Sequence, residues 1–247
     1  MDYRRTKYCP ELIDVSQKKK EVEKLVEIEH PNAKDMHRYI SDNSQKFKLE
    51  FIKAYNGKCA YCGASIDLIK KTEFEIDHFL YEKAPIFATK KDAGYMGNLI
   101  LSCHDCNHNK NSFWIEKEEM DTLNPDGEKI KNVFIRDDKY YIRINDEFKK
   151  NTTIEGFYNK LCLGSELHRL DYLIMNIIGL QRYCEDKLSK GESLDSDMNV
   201  QEPVNVIYQT IISVKSLCFS SIVISTDALA YIILGHEEKN TMTFLSD

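Results

Sequence analysis

Three short stretches decide the reading of this chain: residues 59–63, CAYCG; residues 74–79, FEIDHF; and residues 98–110, NLILSCHDCNHNK. The first and last each hold a Cys-x-x-Cys pair, Cys59/Cys62 and Cys103/Cys106, with 40 residues between them. In a reducing compartment two such pairs supply the four thiolates of one tetrahedral zinc site, each tight turn presenting two sulfurs to the same side. Gly63 helps the first turn close. The competing account of the same cysteines is two unrelated redox or buried pairs. Cys9, Cys162, Cys184 and Cys218 lie in apolar or amphipathic stretches and are read as small core residues.

Outward from the knuckles, the pattern is that of a small mixed core set among helices. Thr72 to His78 alternates, with Phe74 and Ile76 on one face and Glu73, Glu75 and Asp77 on the other, which predicts a short strand. Asn98-Leu99-Ile100-Leu101 reads as a second strand after a loop at Gly94–Gly97, and Asn107 to Glu118 as a helix leaving the second knuckle. Upstream, helices are expected from about Lys18 to Glu29, ended by His30-Pro31, and from about Gln45 to Tyr55. The second carries Phe47, Phe51, Ile52 and Tyr55 on one face and stops at Asn56-Gly57. Downstream, Val133–Ile135 and Tyr140–Ile144 form a hairpin around Asp137-Asp138-Lys139. Thr152 to Glu155 has capping-box spacing and starts a helix. Ser165 to Leu188 is a longer helix with the stripe Leu167, Leu170, Ile174, Ile177, Cys184 and Leu188. An acidic break, Gly191–Asn199, precedes two apolar segments, about Val204–Cys218 and Ile222–Leu234.

Across 247 residues, 42% are hydrophobic and 30% charged, which suits a folded chain and excludes a disordered one. Ten glycines and five prolines are too few for a barrel or sandwich of many tight turns, so a helix-rich chain is expected. There is no run of eighteen apolar residues and no apolar stretch at Met1–Arg5. Neither a membrane span nor a secretory signal is expected, and the cytosol is the expected compartment. The formal charge is −6, from 34 basic and 40 acidic side chains. From Lys46 to Lys117, 11 lysines stand against 9 carboxylates, a local +2 that leaves −8 for the remainder. Nucleic acid is therefore not held by charge over the whole surface, and any such site is local.

Glu75-Ile76-Asp77-His78, Asn98-Leu99 and Cys106-Asn107-His108-Asn109-Lys110, in this order and bracketed by the cysteine pairs, resemble the HNH endonuclease motif. The resemblance covers about a fifth of the chain, Cys59 to Lys110. It implies a ββα fold around one divalent metal, clamped by the zinc knuckle. The whole is then an α+β, helix-rich chain: 1–45 a helical extension, 46–120 the nuclease core, 121–247 a hairpin plus helical C-terminal region. It also implies metal-dependent hydrolysis of DNA phosphodiester bonds. His78 is the candidate general base, because neutral imidazole takes a proton near pH 7. Asp77, a hard oxygen ligand, suits Mg²⁺ or Mn²⁺. Adjacent side chains of a regular strand point to opposite faces, so Asp77 and His78 must sit where the strand ends and bends.

Asn98 matches the motif's middle asparagine, which in that family positions the loop and orients the catalytic histidine. Asn107 stands at the family's final histidine as second metal ligand, and its amide oxygen favours Mg²⁺ or Mn²⁺ over a catalytic zinc. His104 and His108 are rival ligands. His108 would point about 100° away from Asn107 on a helix, and His104, inside the knuckle turn, is expected to be exposed. Lys110 is a candidate to neutralise a phosphate, or a solvated helix lysine. Tyr61 is read as packing.

The flanks narrow the resemblance. His78-Phe79-Leu80, the run Asn98–Cys103, Cys106-Asn107-x-x-Lys110, Leu123-Asn124-Pro125, the hairpin, and Thr153-Ile154-Glu155 before a long helix with Arg169 are similar to the HNH subunits of Septu-type bacterial defence systems, the PtuB-like proteins. Leu80-Tyr81 departs from the Arg-Pro usual there. This resemblance implies an anti-phage role and a protein partner, an ATPase of the SMC/ABC type. Tyr208, Leu217 and Phe219 are docking candidates on the apolar C-terminal segments. The competing class is a noncatalytic zinc-ribbon module that holds nucleic acid or protein without cutting. Asp77 beside His78 speaks against it, since a purely structural knuckle needs neither.

Overall fold

The computed structural model describes residues 2–41 and 46–190. The apolar segments from Val204 to Leu234, with Tyr208, Leu217, Cys218 and Phe219, lie outside the described residues, as do the break at Gly191–Asn199 and the side chains of Cys184 and Leu188.

Three helices open the chain: α1 (Val15–Glu29), α2 (Met36–Ile40) and α3 (Lys46–Ala54). Val15, Lys19, Val22 and Val26 recur every three or four residues and form the buried face of α1, which packs on α3. Lys19 can join that face because its ammonium meets Asp126 Oδ2 at 2.5 Å and the Leu99 carbonyl at 2.7 Å. Helix α1 begins three residues earlier than the spacing predicts and stops at His30, before Pro31. Helix α2 was not legible in the sequence. Its buried Met36 and Ile40 are four residues apart, and the Asp35 side chain caps it by accepting from the Arg38 N–H. Phe47, Phe51 and Ile52 of α3 are buried, and Asn56 and Gly57 both take positive φ (50° and 68°) to end it.

The central unit is two strands and a helix. β1 (Phe74–His78) and β2 (Leu99–Cys103) pair antiparallel, Phe74 opposite Cys103 and His78 opposite Leu99. All of β2 is buried. On β1 the expected polar face survives only at half-buried Glu75, because Asp77 is covered as fully as Ile76. Helix α4 (His104–Lys110) starts inside the second knuckle and stops at Asn111, whose φ is +46°. The helix expected to run to Glu118 is thus displaced and shorter. A positive φ lies outside the right-handed helical range and breaks the run there.

Two short helices, α5 (Met120–Leu123) and α6 (Ile130–Val133), lead to a hairpin of β3 (Phe134–Arg136) and β4 (Ile142–Ile144). Tyr140, at φ +67°, turns it. Helix α7 (Thr152–Lys160) is capped by Asn151, whose side chain accepts from the Ile154 N–H, and not by Thr152 as its spacing suggests. Helix α8 (Glu166–Ser189) buries a different face from the one expected. Leu167 is 53% exposed, while His168, Arg169, Leu173, Met175 and Asn176 are buried. Polar members of that face hold distant backbone: Asn176 accepts from the Lys7 N–H at 3.0 Å, and Arg169 donates to the Lys139 carbonyl at 2.6 Å. Cys9 is buried as expected, but Cys162 is exposed.

One apolar cluster runs from Tyr3 to Leu163, so extension, core and hairpin share a hydrophobic interior over the described residues. The fold is α+β and helix-rich, with two two-stranded sheets among the described residues. No helix among them is long and apolar enough to cross a membrane.

Candidate metal centre and active site

The four knuckle cysteines converge. Their sulfurs lie within 4.8 Å of one another, and all four are buried and unbridged. Cys62 Sγ and Cys103 Sγ are 3.8 Å apart. A tetrahedron with Zn–S bonds of about 2.3 Å has edges of about 3.8 Å, the Cys62–Cys103 separation, and the other sulfurs lie near enough to complete the donor set. Gly63 turns the first knuckle at φ +83°, and a Cβ there would stand 2.9 Å from that of Arg4. Glycine is thus needed for the turn and for the close approach of the N-terminal segment. The Ala60 N–H donates to the Leu101 carbonyl at 2.8 Å, fastening the knuckle to β2. Burial works against a thiolate at Cys59, but hydrogen bonding with Cys103, Cys106 and Cys62 outweighs it and holds that thiol well below the usual range.

Beside the knuckle, Asp77, His78, Asn107 and His108 line a cavity of about 650 Å³. Asp77 and His78 reach it together at the end of β1, whose pairing with β2 runs unbroken through His78. The strand ends at His78 and the chain bends at Phe79 and Leu80, as expected. Asp77 is held from two sides: Tyr61 donates to its Oδ2 at 2.6 Å, and Lys110 Nζ stands 3.2 Å away. Both contacts fall on Oδ2, and Oδ1 has no protein partner among the described residues. Burial pushes the Asp77 carboxyl up, which Lys110 and Tyr61 only partly offset. Asn107 donates its amide N–H to Glu75, leaving the amide oxygen as its other polar atom. His78 is pushed down to about 4, first by burial and then by neighbouring His37, so its imidazole is neutral near pH 7.

Lys110 is not where a phosphate could reach it. Its side chain is 1% exposed, and its ammonium donates to the His78 carbonyl at 2.9 Å. The expectation of a phosphate contact or a solvated helix lysine gives way to a buried cation that braces Asp77 and the His78 backbone. Tyr61 packs, as read, and its hydroxyl also fixes Asp77. His104 is exposed and bonds Glu75 at 2.8 Å, outside the cavity, whereas His108 lines it beside Asn107. Sequence reasoning missed His37, which comes from α2 and lies against His78 with ring centroids 4.3 Å apart.

Asn98, 1% exposed, ties the loop between the strands. Its Oδ1 accepts from the Leu80 N–H at 2.8 Å, and its Nδ2 donates to the Leu80 carbonyl at 2.9 Å and the Ala93 carbonyl at 2.8 Å. Asn98→Ala strands three buried backbone groups, each costing about 1–3 kcal/mol. A urea titration should show a loss of about 3 kcal/mol or more; a midpoint at the parent value would contradict this accounting.

Residues 59–113 match the HNH endonuclease family model. Over 105 residues the chain is 34% identical to the Septu protein PtuB of Bacillus mycoides (strain KBAB4), a match spanning 38% of this chain and 34% of that protein. The chain thus matches about a third of the length of this curated relative. No solved structure matches significantly. Two antiparallel strands and a short helix, with four cysteines gathered beside them, fall within residues 59–113, the stretch that is similar to HNH endonucleases.

Proposed function

We propose that the chain is a metal-dependent DNA endonuclease, the cutting subunit of a bacterial anti-phage defence complex that works in the cytoplasm. The observation that carries the reading is the opening of Asp77 and His78 onto one cavity beside a four-cysteine clamp. In this reading His78 takes a proton from the attacking water, which a neutral imidazole can do. Its main chain is fixed by Lys110 and the following loop by Asn98, so the ring works from a rigid base. Asp77, through Oδ1, and Asn107, through its amide oxygen, would hold Mg²⁺ or Mn²⁺, since both offer hard oxygen donors. The bound ion would offset charge on the scissile phosphate.

Residues 46–120 are the cutting unit in this proposal, 1–45 brace it, and 121–247 carry the surface toward a partner. The likeness to a Septu protein supports an ATPase partner of the SMC/ABC type. So does the charge: a local +2 in an acidic chain grips DNA poorly alone. The test is supercoiled plasmid at low salt with Mg²⁺, with Mn²⁺ and with EDTA, for the chain alone and with the product of the neighbouring gene. Nicking that needs the metal, stops in EDTA, leaves 5′-phosphate and 3′-hydroxyl ends and weakens in Asp77→Ala is expected. Cleavage undiminished in EDTA, or none under any of these conditions, overturns it.

A further inference from the structure

The short helix α2 has a place in the site that no motif assigns. Its N-terminal cap, Asp35, is pressed on the loop between the strands, where a Cβ at Gly94 would stand 2.1 Å from Asp35 Oδ1. Asn98 anchors the same loop through the Ala93 carbonyl, and Met36 and Ile40 bury the other side of the helix. The helix therefore has little freedom to slide, and it presents His37 to β1. His37 Nε2 lies 3.2 Å from the Ile76 carbonyl oxygen. That oxygen can only accept, so Nε2 carries the proton and donates it. This bond, made to the backbone two residues before His78, adds to the seating of the helix by Asp35, Met36 and Ile40, which by itself brings the ring against His78. The two imidazoles stand 4.3 Å apart with planes inclined by 35°.

We propose that His37 is a positioning residue for His78: a fixed aromatic wall that sets the plane of the neighbouring imidazole. The proposal rests on the nuclease reading of the site. Lys110 and Asn98 hold only main chain around His78, at its carbonyl and at Leu80. They leave the torsions of its side chain open, and the aromatic ring packed against it among the described residues is that of His37. A base works only within hydrogen-bond reach of the proton it takes, and a displacement of about 1 Å can cost on the order of a hundredfold.

Three variants separate position from chemistry. His37→Phe keeps a flat ring and removes the ring nitrogens, His37→Gln keeps a polar donor without the ring, and His37→Ala keeps neither. With the partner present if cleavage needs it, His37→Ala and His37→Gln should lower kcat about tenfold to a hundredfold with KM within twofold, at unchanged zinc content. His37→Phe should return kcat to within about threefold of the parent. Crystal structures of the same variants read the ring without relying on turnover: His78 should keep its orientation in His37→Phe and lose it in His37→Ala. A parent-like kcat in His37→Ala, an unmoved His78 ring in its structure, or His37→Phe as slow as His37→Ala each overturns the proposal. The underlying reading fails separately, through a His78→Ala variant that cuts at the parent rate.

Discussion

Cys59→Ala should leave the chain largely unfolded at 25 °C, and removing zinc from the parent with a strong chelator should do the same. Structural zinc contributes on the order of 10 kcal/mol to folding, comparable with the whole stability of a typical domain, about 5–15 kcal/mol. The site cannot be lost locally. The knuckle backbone accepts bonds from far along the chain: Ala60 O from Arg4 at 2.6 Å, and Tyr61 O from the Tyr3 hydroxyl at 2.6 Å. Tyr61 in turn holds Asp77. Opening the clamp therefore frees the N-terminal segment and the cavity wall together. Circular dichroism with metal analysis decides it: one zinc per parent chain and a lost transition in Cys59→Ala are expected. A folded variant with parent-like thermal unfolding, or parent protein that purifies without zinc, contradicts the role given to the clamp.

His78→Ala should abolish cleavage while leaving the fold in place. General-base assistance is worth about 10²–10⁴-fold, so residual nicking should fall to the background of a plasmid assay. The fold should survive because residue 78 serves the architecture through its main chain: Lys110 donates to its carbonyl, and alanine keeps that carbonyl. Zinc content should match the parent and the melting temperature should stay within a few degrees. Parent-rate cleavage by this variant removes the nuclease assignment.

What the sequence made legible follows from which constraints are local. Two Cys-x-x-Cys turns point to a tetrahedral site by their spacing, and the alternation over Thr72–His78 marks a strand, which forms over Phe74–His78. Asp77, His78 and Asn107 could be grouped only through the resemblance to the HNH motif, and all three line one cavity. Buried charge was not legible. Nothing in the sequence singles out Lys19, and Lys110 reads as a phosphate contact or a solvated helix lysine; only the folded chain supplies Asp126 for one and Asp77 and the His78 carbonyl for the other. The face of α8 was misread for a related reason: its buried side includes His168, Arg169 and Asn176, whose partners lie on other elements and leave no apolar stripe. His37 was invisible because nothing in its five-residue helix hints at the strand it meets.

The hold of α8 on the N-terminal segment bears on how the chain is made. The Lys7 N–H bonds to Asn176, and Cys9 to the Met175 carbonyl, 166 residues later. At a ribosomal pace of about 5–20 residues per second, roughly ten to thirty seconds separate synthesis of the two sides. During translation, Tyr3 and Arg4 can find the first knuckle long before the residues that seat Lys7 and Cys9 exist. A ribosome stalled before residue 175 should thus hold a nascent chain whose second knuckle is already made and whose Cys9 thiol still reacts with a maleimide reagent. Release of the full chain should bury that thiol.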